Sequence, residues 1–152
     1  MRRTYLLLIG LGILAFLVIS ALLARVFSTD GAERTAITGL VQAEARGDQQ
    51  GMASRLQACR ASAACRAQVA YLSSTLRRAG SVSILQLQPS TGFSLVGTTG
   101  VARVAWDVSS NSLPVVQCVR VRRAGDALHG LQVQLLAISG RIKSDADCPA
   151  RF

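Results

Sequence analysis

Histidine and aromatic residues are scarce in this chain of 152 residues, and each scarcity removes a class of function. A single histidine, His129, provides no second imidazole for a histidine-based metal centre. The four cysteines, Cys59, Cys65, Cys118 and Cys148, lack the C-x2–4-C spacing of zinc sites, so neither a metal nor a cofactor is implied. One tryptophan, two tyrosines and four phenylalanines are too few for a base-stacking platform, which argues against nucleic acid as a partner. There is no low-complexity tract, internal repeat or charge run, and no catalytic constellation can be assigned.

What is present begins with an apolar run. Arg2 and Arg3 precede about twenty residues, Tyr5 to Ala24, interrupted only by Gly10, Gly12 and Ser20, and Arg25 follows. A helix of that length spans roughly 30 Å, the hydrocarbon thickness of a bilayer. A cleaved secretory signal would have a shorter apolar centre and an A-x-A exit, and a core helix would carry a polar stripe. The expected organisation is therefore a signal-anchor transmembrane helix at 1–25, a short linker at 26–31 and an extracytoplasmic domain at 32–152. Basic residues near the two ends of the run are almost balanced, so the cysteines decide orientation. An even count in a small domain suits an oxidising compartment, placing the N-terminus in the cytoplasm and the domain outside.

Within the domain the period of the apolar residues changes once. Ile37, Leu40, Val41 and Ala45 form a helical stripe over 32–46, and an Ala-rich stretch over 49–78 reads as further helix. From Val82 onward the period is two, with strands expected at 82–88, 93–96, 101–108, 115–123 and 128–139. Val104, Trp106 and Val108 share one face, as do Val115, Val119 and Val121, while Arg103, Asp107, Cys118, Arg120 and Arg122 lie on the other. One apolar and one polar face marks an antiparallel sheet of four to five strands with two or three helices on its apolar side, an α+β fold.

Helices followed by a meander of long strands resemble, over Ala32 to Cys148, the cystatin-like cone of nuclear transport factor two-like proteins. With the leading apolar run, the layout is similar to that of Mce-associated membrane proteins. The resemblance implies a curved sheet wrapped around a cavity. In enzymatic members of that superfamily an Asp or His base sits at the cone mouth; no residue here matches it, so the resemblance implies a fold and carries no activity.

Cys59 and Cys65 in an unbroken helix would be about 9 Å apart along its axis, too far for a disulfide. A break at 60–64 would let them pair and would divide the long helical stretch into two. Four cysteines allow three pairings; Cys59–Cys65 with Cys118–Cys148 is the favoured one, folding the C-terminal segment back on the sheet. Closing a loop of about thirty residues contributes on the order of 3 to 4 kcal/mol.

Sixteen of the 17 basic residues are arginine, a mark of a GC-rich coding sequence, and the formal net charge is +9. A basic surface near a membrane attracts anionic lipid or wall polymer. Gln117 lies on the apolar face, and with Tyr71, Trp106 and His129 it makes up the candidate lining of a ligand pocket; the plainer reading is a hydrogen-bonded core glutamine and an edge histidine. Two functions are expected to compete. The first is a non-enzymatic scaffold or assembly subunit of the bacterial cell envelope, held to the membrane by its N-terminal helix and to an envelope protein partner by its domain. The second is a small-ligand binder or enzyme using a cone cavity between helices and sheet.

Overall fold

Three α-helices and a 3₁₀ turn precede a four-stranded antiparallel meander: α1 (Arg2–Arg46), α2 (Gln49–Arg55), the turn Gln57–Arg60, α3 (Ala63–Thr75), β1 (Ser83–Gln88), β2 (Thr98–Asp107), β3 (Val115–Asp126) and β4 (Gly130–Ile138). The computed structural model describes residues 2–90, 97–108, 113–126, 130–144 and 146–152, with backbone alone at 2–8, 24–29, 125, 126, 130 and 131. The strand expected at 93–96 and the first residues of 128–139, His129 among them, lie outside the described residues.

The back half of α1 packs on the sheet through its apolar stripe, and Ile37, Leu40 and Val41 are fully buried. Gly47 ends the helix. At φ +73 it adopts the left-handed conformation that closes helices, while the Asp48 N–H donates to Ala43 O at 2.8 Å. Asp48 then caps α2, its Oδ1 accepting the Gly51 N–H at 2.8 Å, and Ser62 caps α3 in the same way through the Cys65 N–H. The stretch 49–78 is therefore broken at 56–62, where Cys59 and Cys65 come within 4.9 Å (Cα–Cα) and are bonded.

Alternation governs the central strands. Val104 pairs with Gln117 and Trp106 with Val115, and Ala102, Val104, Trp106, Val115, Gln117, Val119 and Val121 face the helices as one buried surface. The edge strands depart from it. In β1, Leu85 bulges out, so that Ile84 and Leu87, three apart, sit opposite Trp106 and Val104. In β4 the extra residue is Leu136, so that Leu135 and Ile138 both turn inward opposite Val121 and Val119. The outer face is covered where Ile142 pairs with Val116 and where Cys118 is bonded to Cys148, with 5.8 Å between their Cα atoms.

Two expectations are corrected here. The sheet has the order β1-β2-β3-β4 and is neither closed nor strongly curved, so it is not the cystatin-like cone, and no cone cavity is enclosed among the described residues. The space between helices and sheet is filled instead by Ile37, Leu40, Met52, Leu56, Leu72 and Trp106, all buried. The resemblance to nuclear transport factor two-like and Mce-associated proteins fails with the cone, because similar element order does not impose closure.

The second correction concerns the N-terminus. The apolar residues are the front of one helix that continues unbroken through 26–31 to Arg46, with no separate linker. Apolar side chains over 9–23 are exposed, but no helix among the described residues is long and apolar enough to cross a membrane. The signal-anchor, the membrane as partner and the single-pass topology with an extracytoplasmic domain are therefore not supported, and the envelope-scaffold function and its lipid or wall partners lose their basis.

Candidate functional site

Of the residues singled out from the sequence, Trp106 and Gln117 come together. The Trp106 indole N–H donates to Gln117 Oε1 at 2.8 Å, and both side chains are fully buried. Tyr71 is exposed on α3, and His129 lies outside the described residues. Trp106, Gln117 and Tyr71 do not line the clefts described below.

The Gln117 amide extends the pair to a residue that the sequence reading passed over. Its Nε2 donates to Glu44 Oε1 at 2.8 Å and to the Ser139 carbonyl at 3.2 Å. Glu44 is fully buried, and its Oε2 has no hydrogen-bond partner among the described residues. Desolvation pushes its carboxyl up to about 7, while the Gln117 hydrogen bond acts in the opposite direction. The signal that could have found it is periodicity, because Glu44 lies seven residues after Ile37 on the same helical stripe.

Glu33, four residues before Ile37, is the second acid on that stripe. It is fully buried and fully partnered. Oε1 accepts the Ser90 N–H at 2.8 Å; Oε2 accepts the Ser90 hydroxyl at 3.0 Å and the Arg123 Nε–H at 2.9 Å. Arg123 also pairs with Asp30 at 2.7 Å. Every charge in this cluster has a partner, so it clamps α1 to the sheet and offers nothing to a ligand.

A groove of about 290 Å³ lies between α1, α2, the 3₁₀ turn and β4. Arg55 and Arg60 flank it, Ser54, Gln57 and Gln134 supply polar groups, and Ala36, Val133 and Leu135 form an apolar floor. Neither arginine has a hydrogen bond or ion pair among the described residues. Others do: Arg66 donates to Cys59 O at 3.0 Å, Arg78 to Leu113 O at 3.0 Å and Arg141 to Pro114 O at 3.3 Å.

Local structure places both groove arginines. The Arg55 guanidinium lies on bare α1 backbone at Gly39, where a Cβ would come within 3.0 Å of its Nη1. Arg60 ends the 3₁₀ turn, which the Cys59–Cys65 bridge ties to α3 and which follows the parallel Leu56–Leu135 pairing to β4. Two guanidinium groups with donors to spare, beside amide and hydroxyl groups, are suited to planar or tetrahedral oxyanions. Compared with known proteins, the chain matches no family model, and no curated protein or solved structure shows significant similarity to it.

Proposed function

We propose that this domain is a binding module for a small molecule carrying a carboxylate or phosphate, held in the groove between Arg55 and Arg60. The observation that carries this reading is the pair of arginines without hydrogen-bond or ion-pair partners among the described residues, on the rim of a cleft of about 290 Å³. The anionic group meets the arginines, and its carbon skeleton rests on Ala36, Val133 and Leu135. The Ser54 hydroxyl is spent on Gly51 O at 3.0 Å, and no acid or histidine stands beside it among the described lining residues. The groove thus offers charge and hydrogen bonding, which is recognition chemistry.

Titration of the full chain with inorganic phosphate and with citrate, followed through the arginine Nε–H resonances, tests this reading. Saturable shifts at Arg55 and Arg60 are expected, weakening as salt is added. Arg55→Ala or Arg60→Ala lowers affinity roughly tenfold or more, the worth of one charge-assisted hydrogen bond. Unchanged affinity in both variants overturns the assignment.

A further inference from the structure

On the other side of the 3₁₀ turn from the groove, a second cleft of about 260 Å³ opens between the turn, α3 and β4. We infer that it is a binding site for a small neutral apolar molecule, walled on one side by Phe152.

The lining defines the ligand. Leu56, Cys65, Val69, Ala137, Ile138 and Phe152 form its walls, and no charged side chain lines it among the described residues. Its polar groups are Ser62 and Gln68, and both are engaged. Ser62 Oγ accepts the Cys65 N–H at 3.2 Å, and Gln68 Nε2 donates to Ile138 O at 3.4 Å. The Ser62 O–H can still donate and the Gln68 side-chain carbonyl can still accept, so the cleft serves one small polar substituent on an otherwise apolar ligand. A charged ligand would lose its hydration there without replacement, whereas an apolar one loses nothing. Size follows from the volume: an apolar cavity of about 150 Å³ takes benzene, so this cleft accommodates one aromatic ring with a short substituent.

Phe152 is held in place as a wall. The Arg120 guanidinium lies 4.8 Å from the Phe152 ring centroid, and its Nη2 donates to Ala150 O at 3.0 Å. Four residues upstream, Cys148 is bonded to Cys118 of β3. Residues 148–152 are thus tied to the sheet by a covalent bond, a hydrogen bond and a ring contact. Such fixing places an aromatic face at the cleft before any ligand arrives, which lowers the ordering cost of binding.

This site is independent of the anion groove, because neither Arg55 nor Arg60 lines it. Indole and benzene added to the methyl-labelled full chain provide the test. Saturable shifts are expected at the methyls of Leu56, Val69 and Ile138, with the Arg55 and Arg60 resonances unmoved. Phe152→Ala weakens binding roughly tenfold by removing one apolar wall. Ala64→Phe, at an exposed position on the rim, fills the cleft and abolishes the shifts; Ala58→Phe does the same from the 3₁₀ turn. Shifts that never saturate, that persist undiminished in both filled variants, or that fall only on the exposed apolar residues of 9–23 overturn the proposal.

Discussion

Glu44 and Trp106 are joined through one side chain, since the Gln117 amide accepts from the indole with its oxygen and donates to the carboxyl with its nitrogen, each at 2.8 Å. Trp106 is the only tryptophan of the chain, so its fluorescence reports on the buried acid two bonds away.

The raised carboxyl makes stability fall as pH rises. Below about pH 4.5 the acid is protonated in both the folded and unfolded chain and exerts no penalty. Between about 4.5 and 7 the unfolded chain releases this proton while the folded one keeps it. Stability then drops by up to about 1.4 kcal/mol per pH unit and levels off near 3 kcal/mol above pH 7. Glu44→Gln removes this component. Urea unfolding followed by Trp106 fluorescence from pH 4 to 8 should show a flatter profile for the variant, and parallel profiles would refute the assignment.

At the clamp, two substitutions should differ sharply. Arg123→Ala leaves Glu33 buried beside an empty position and costs about 3 to 5 kcal/mol. Asp30→Ala removes a side chain that is 37% exposed and costs less than about 1 kcal/mol. Urea midpoints of the two variants make the comparison directly.

Gly39→Ala separates stability from binding. Alanine in a helix interior is worth up to about 1 kcal/mol over glycine, and the flexible end of Arg55 yields to the added methyl. The melting temperature should hold or rise while phosphate affinity falls several-fold, because the guanidinium has been displaced. A loss of both would mean that Arg55 cannot yield.

Opening the Cys118–Cys148 loop by Cys148→Ser together with Cys118→Ser should cost on the order of 3 to 4 kcal/mol, measured by thermal unfolding. It should also release Phe152, so indole binding weakens more than phosphate binding.

The sequence made the central architecture readable where one period ruled. Val104 and Trp106, and Val115, Val119 and Val121, alternate cleanly and lie on the helix-facing side of β2 and β3. The edges were harder. Leu85 and Leu136 each break the alternation by one residue, and nothing in their neighbours' composition announces a bulge. Ser28, Asp30 and Gly31 read as a linker because their helix propensities are poor. In the fold they are helical, with Asp30 bound to Arg123 and the Thr35 hydroxyl donating to Gly31 O at 2.9 Å. Tertiary pairing outweighs a local preference of a few tenths of a kcal/mol per residue.

The buried acids show a different blind spot. Glu33 and Glu44 occupy the apolar stripe of α1 at helical intervals, yet a reading by hydrophobicity skips charged residues and sees only Ile37, Leu40, Val41 and Ala45. The groove was hidden for another reason. Arg55 and Arg60 are two of sixteen arginines, and only the fold distinguishes those whose donors are spent on carbonyls from those left facing a cleft.

Leu136 has one more effect. The residues before it, Val133 to Leu135, border the basic groove, and those after it, Ala137 and Ile138, border the apolar one. A single supernumerary residue thus partitions one strand between two recognition chemistries. Deleting that residue would restore plain alternation to β4, while the 3₁₀ turn would still stand between the two clefts.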